Sequence, residues 1–368
     1  MLRTILLLIA LFAIGAPRSQ AQKYAAYTDY MGRFYIFDNG RSQVVDDLPP
    51  QSHKIGGTCI LYVNSPGHLC IYQNGKSEVL EKSGVTEYYT GDFLAAYSIY
   101  EKLKVIFNGK VIELSNRCPH YYASDSIVSF YDKNSESLKI FYNGKTSEIQ
   151  SGILGNPVKI WSAGDNIFSY ISDINNDFYI WYKGNNYLIT RNVGNVRFRA
   201  GSDVVAFNDE IDQNFKVFYK GEVFVVDDFM AKSFKAGDGF VAFVTQSDEF
   251  KVFENGSTQL ISTNPPDEYI AEDKILVFAE NNRFKIWFNQ NEQEIEAYIP
   301  PLFKTDWNTI AYLDNSNRIW IYQDGERKYF ANEFVNSFDI YRDLIFMNVK
   351  INRNIIYFNG NFYEGGSF

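Results

Sequence analysis

Three cysteines and three histidines in 368 residues leave little material for thiol or metal chemistry. His53, His68 and His120 are scattered, and no His-Glu-x-x-His or Cys-x-x-Cys spacing gathers ligands. Cys118 and His120 lie two residues apart, the wrong arrangement on one strand for a base to activate a thiol. A Gly-x-Ser-x-Gly elbow and a phosphate-binding glycine loop are also missing, so the sequence points to no catalytic residue and no cofactor. Positive charge is scarce: 35 Lys and Arg face 44 Asp and Glu, with no basic cluster, which argues against nucleic acid and anionic membranes as partners. No stretch shows helical periodicity, and after the N-terminus no apolar run is long enough to span a bilayer.

The N-terminus, "MLRTILLLIALFAIGAPRSQAQ", has Arg3, an apolar run from Ile5 to Gly15, and Ser19-Gln20-Ala21. This is the pattern of a secretory signal, with cleavage expected after Ala21. Residues 1–21 are then a leader, and 22–368 form a periplasmic or secreted protein that does not span the membrane. Loss of Arg3 and Arg18 moves the formal charge from −9 to −11. Three cysteines are an odd count for an exported chain. Cys59 and Cys70 flank the turn "NSPG"; pairing Val63 with His68 sets Cys70 opposite Leu61 and leaves Cys59 diagonal on the same face. A disulfide wants Cβ atoms about 3.8 Å apart, so two buried thiols are expected, a bridge remaining open to a register slip.

What the sequence has in abundance is one repeated phrase. "FKVFYKGEV" (215–223) returns as "FKVFENGST" (250–258) and "LKIFYNGKT" (138–146), and ten copies align. The second turn residue is Gly40, Gly75, Gly109, Gly144, Gly184, Gly221, Gly256, Gln290, Gly325 and Gly360, at spacings of 34 to 40 residues. The residue before it is mostly Asn, which suits a two-residue type I′ hairpin turn with positive φ at both central positions. Four residues before the glycine stands Ile or Val in every copy; three before, all but Ile106 are aromatic. Neighbouring apolar columns point to opposite faces of a strand, so both faces must be covered. Upstream lies a second phrase, "AGDGFVAFVTQ" (236–246) or "AGSDVVAFND" (200–209), read as a tight turn entering a strand.

Each unit thus reads as four short antiparallel strands, and ten units apolar on both faces predict an all-β β-propeller of about 35-residue blades. One closed ring is the expectation. Two tandem rings are the alternative, hinted at only by the 40-residue spacing from Gly144 to Gly184. The strand pattern begins at a second strand, "KYAAYTD", and ends after a fourth, "NFYEGG", so blade one is three-stranded unless a strand has been missed. The paired phrases "AGDxxVAF" and "FKVFxNG" resemble exported bacterial propellers of the Tol-associated periplasmic type and, more distantly, WD-repeat proteins. The resemblance spans nearly the whole mature chain, implies architecture, and carries over no functional residues.

Four features are candidate sites. Asp173, Asn175 and Asp177 begin like a calcium loop, but Phe178 replaces its glycine and Gly184 its bidentate acid, so a polar hairpin loop and no metal site is expected. Asp132 to Glu136 reads the same way. An Asp recurs before the second strand in eight of the ten units: Asp92, Asp125, Asp165, Asp203, Asp238, Asp273, Asp306 and Asp343. These acids either bond the backbone of their own turns or form a carboxylate ring for cations or sugar hydroxyls; recurrence favours the turn role. Lys104, Lys139, Lys216, Lys251 and Lys285 share one column and read as snorkelling side chains near a blade edge. Aromatics are 17% of the chain, many of them already in packing columns.

The function expected is a non-catalytic, exported protein-interaction module, an accessory or plug subunit of a cell-envelope assembly such as an outer-membrane translocon. The alternative is a glycan-binding or glycan-cleaving propeller, for which hydrolysis needs paired acids roughly 5 to 9.5 Å apart.

Overall fold

The computed structural model describes residues 24–365 apart from 195, 324, 330–333, 343 and 351–352. Among these residues lie 39 strands and no helix, hence none long and apolar enough to cross a membrane. The strands form ten antiparallel sheets in which sequence neighbours pair: nine of four strands, and a first sheet of three among the described residues.

One blade shows the construction. It contains β20 (Phe198–Gly201), β21 (Val204–Asp209), β22 (Asn214–Tyr219) and β23 (Glu222–Asp227), paired in that order. The first strands of successive blades touch, as when Ala200 N–H donates to Ser162 Oγ at 2.9 Å, so they lie innermost. On β22, Phe215 packs on Phe234 and Phe243 of the next blade, at ring separations of 5.1 and 4.8 Å. Phe218 faces the other way, onto Tyr182 and Tyr187 of the preceding blade at 5.7 and 5.2 Å. The two apolar columns therefore fill the two gaps flanking each blade. The β22–β23 hairpin turns at Lys220 and Gly221, with φ of 50° and 100°, and even the copy without glycine keeps Asn289 and Gln290 at 50° and 62°. A register shift follows the first apolar residue of the third strand, between Phe215 and Lys216 here and at the matching place in most blades. Such bulges increase twist locally.

The ring closes once. Phe37 of the first blade meets Phe358 and Tyr363 of the tenth at 5.8 and 5.3 Å, and Tyr27 meets Phe346 at 5.3 Å. The long spacing before Gly184 marks no junction, because Trp181 packs on Tyr142 across it at 5.3 Å.

Two side-chain expectations need correction. Val63 pairs with Leu69, and Cys70 with Tyr62, one step from the expected register, because Asn64 N–H bonds the His68 carbonyl and draws His68 into the turn. The step sends Cys59 and Cys70 into different core clusters as free, buried thiols. The lysine column does not snorkel: Lys139 bonds Asp132 at 2.7 Å, Lys216 bonds Asp209 at 2.7 Å and Lys285 bonds Glu280 at 2.6 Å. Each of these acids ends the second strand of its own blade, so the amine bends along the sheet and stays half-buried.

Candidate functional site

The turns between first and second strands crowd round the axis, and four of them carry glycine with aspartate: Gly91-Asp92, Gly164-Asp165, Gly201-Ser202-Asp203 and Gly237-Asp238. A Cβ on Gly201 would sit 1.9 Å from the Gly237 carbonyl oxygen of the next blade, so only glycine allows the approach. The aspartates then stitch neighbouring turns together. Asp125 accepts from Asp92 N–H at 3.1 Å, Asp273 from Trp307 N–H at 2.8 Å, and Asp306 from Arg342 N–H at 2.9 Å. Asp203 accepts from Asn166, Tyr182 and Lys183, all in the preceding blade. The structural role expected of the column is thus carried out between blades and not within each turn. Asp343 lies outside the described residues.

The same acids line a cavity of about 280 Å³ at the axis, among them Asp125, Asp165, Asp238, Asp273 and Asp306 with Glu272. Burial raises the carboxyls of Asp125, Asp238 and Asp273 above the usual range. Burial, with Asp125 alongside, pushes Asp165 up to about 7; burial, with Asp273 nearby, does the same to Asp306. Lys183 and Tyr182 overcome burial at Asp203 and hold it low. Blades eight to ten break the symmetry. Lys274 Nζ and the Arg342 guanidinium lie 4.1 and 4.7 Å from the Trp307 ring centre, and Arg342 also pairs with Asp92 of the third blade. Beside them is a cavity of about 70 Å³ lined by Tyr24, Ile55, Tyr341 and Arg342. Such a mouth can donate and accept hydrogen bonds and attract cations.

The opposite face has another character. There run the loops between second and third strands and the connections from blade to blade. They carry Tyr30, Met31, Tyr100, Leu154, Ile211, Phe229 and Phe334 at 62% exposure or more, together with Leu48 and Ile174. Among the described residues, no large apolar side chain over half exposed lies in the turns of the acidic face.

The sequence matches the 10-bladed beta propeller domain over residues 18–363. The chain belongs to that family. No curated protein matches it. Among solved structures it is similar to the computationally designed Ika8 protein, at 12% identity and TM-score 0.33 over 92% of this chain and 99% of that one. It is also similar to Hsv2 of Kluyveromyces lactis, at 12%, 0.34, 76% and 99%, and to the CRINKLY WD40 ectodomain of the receptor kinase ACR4 from Arabidopsis thaliana, at 10%, 0.35, 67% and 96%. These likenesses inform neither ligand nor partner.

In this ten-bladed propeller the calcium-like loop bonds itself: Asn175 Nδ2 donates to Asp177 Oδ2 at 2.8 Å, and Asp177 N–H to Asn175 Oδ1 at 3.1 Å. Asp173 points to solvent, and no described group of three or more His, Cys, Asp or Glu is placed to hold a metal. Cys118 donates to the His120 carbonyl, and burial pushes its thiol up to about 12. Sequence reasoning found the aspartate column but missed Trp307, Arg342 and the apolar face. The signal for the face was present, as single apolar residues inside polar loops such as "NDEIDQN" and "DDFMAK".

Proposed function

We propose that this propeller is an exported, non-catalytic protein-interaction module that docks through its apolar face. One observation carries the reading: nine large apolar side chains, each more than half exposed, stand in the loops of a single face, and none in the turns of the other among the described residues. Their confinement to one face is what a docking surface covered by a partner would require. The apolar leader with its small-residue cleavage pattern supports export and kinship with periplasmic propellers of the Tol-associated type. In its specific form the partner belongs to an outer-membrane translocon, the propeller serving as accessory or plug. Affinity purification from detergent-solubilised envelopes tests this. A stoichiometric partner is expected, and recovery of the propeller alone would overturn the reading.

A glycan-binding reading is favoured by the acidic mouth, where the carboxyls of Asp125, Asp165, Asp238, Glu272, Asp273 and Asp306 line the 280 Å³ cavity. A glycan array in which Asp165→Asn abolishes a signal would support it; an array without signal removes it.

A further inference from the structure

The outermost strand of every blade has one edge without a sheet partner, and most such strands are guarded. β7 (Lys76–Glu81) and β15 (Lys145–Ser151) begin with Lys, and β31 (Asn291–Glu296) holds three glutamates. Charge, and lysine above all, is how natural edges avoid pairing with other chains. Lysine is also missing from β19 (Asn185–Thr190) and β27 (Ser257–Ser262); what sets β23, "EVFVVD", apart is a pair of exposed apolar side chains on one face, Val223 and Val225 at 47% and 56%. Its ladder runs to β22 alone. At the end of β23 a cavity of about 390 Å³ is lined by Val225, Val226, Asp227, Asp228, Phe229 and Ser247. Phe229 is 65% exposed and belongs to the apolar face. The same end of the blade carries Asp209, Glu210 and Asp212 besides Asp227 and Asp228. Lys216 neutralises Asp209 and Asp212, and Lys251 lies 3.8 Å from Asp227, so Asp228 adds exposed negative charge beside the cavity.

We propose that the outer edge of β23 accepts an extended strand from a partner polypeptide. That strand sets apolar side chains at alternate positions beside Val223 and Val225 and a Lys or Arg beside Asp228. Strand addition supplies main-chain hydrogen bonds for affinity, while alternate side chains and the acidic end supply selectivity. The proposal rests on the protein-interaction reading and narrows it to one blade and one chemistry.

The probe is the labelled peptide Lys-Val-Thr-Val-Thr-Val-Lys, with Glu at both ends as control, titrated onto the purified mature protein by fluorescence anisotropy. The basic peptide should bind saturably and the acidic one at least about tenfold more weakly, because opposite charge at the rim favours the encounter. Val223→Lys and Asp228→Lys should each weaken the basic peptide by about tenfold, while Val79→Lys on the edge of the second blade leaves it unchanged. Unaltered denaturation midpoints show that the variants fold. Absence of saturable binding up to millimolar peptide, or equal binding by wild type and both blade-six variants, overturns the proposal. So does a dimer in sedimentation that Val223→Lys dissociates and the peptide does not, since the edge would then serve a second copy of this chain. If the peptide fails while an envelope partner is still captured, strand addition falls and the docking face stands; if both fail, both fall.

Discussion

Changing Lys216 to Gln should destabilise the propeller by about 2–3 kcal/mol. Lys216 Nζ lies 2.7 Å from Asp209 Oδ2, with side chains only 13% and 6% exposed. Removing one partner of a buried pair costs about 3–5 kcal/mol, mostly the charge left behind. Asp209 keeps two backbone donors, Ile211 N–H at 2.9 Å and Asp212 N–H at 3.3 Å, which lowers the expectation to about 2–3 kcal/mol. The loss should depend on pH. Although burial opposes it, the Lys216 amine holds the Asp209 carboxyl below its ordinary range. A carboxyl lowered in the fold adds stability above its unfolded pKa of roughly 3.9, and that stability disappears as pH falls through the folded value. The deficit of Lys216→Gln should therefore be full at pH 7 and shrink in acid, where Asp209 is protonated in the variant. Urea midpoints at neutral and acidic pH measure both effects. Pairing Lys216→Met with Asp209→Leu should recover most of the loss, because the orphaned charge is then gone. A Lys216→Gln cost below about 0.5 kcal/mol at pH 7 would show an amine that merely reaches solvent and would refute the buried pair.

Three further outcomes are expected. Phe218→Ala should cost about 3–5 kcal/mol by denaturant midpoint, since a fully buried ring lies against Tyr182 and Tyr187 of the preceding blade. Gly201→Ala should cost about 1–3 kcal/mol, because its Cβ collides with backbone 1.9 Å away and the turns must part; an unchanged melting temperature would contradict the crowded axis. Asp165, raised to about 7 in the fold, holds its proton more tightly there than unfolded, so stability should fall as pH rises from about 4 to about 7. Asp165→Asn should flatten that fall and gain on the order of 1–2 kcal/mol at pH 8, with no gain at pH 4; parallel pH profiles would contradict it.

The blade was legible because its signals are local. Positive φ wants Asn-Gly, and the two apolar columns of "FKVF" announce a strand covered on both faces. What crosses between blades was not legible. Asp125 and its donor Asp92 are 33 residues apart, and Asp306 and Arg342 are 36 apart, about one repeat. A residue that serves its own turn and one that serves its neighbour's have the same period in sequence. The Cys70 register failed for a smaller reason, a turn one residue longer than the four quoted letters suggested. Lys216 was misjudged because its partner ends an adjacent strand, seven residues back. Exposure of Tyr100 or Phe334 depends on how far each loop stands from the ring, which no periodicity reports.

Docking through the apolar face is tested most directly by photo-crosslinking in cells. A crosslinking amino acid is placed singly at Tyr100, Phe229 and Phe334, and for comparison at Asn74 and Asn255 in hairpin turns on the acidic side. Crosslinks to one common protein from the first three positions, and none from the two turns, are the predicted result. Crosslinks from Asn74 and Asn255 alone, or none from any position, would contradict the account.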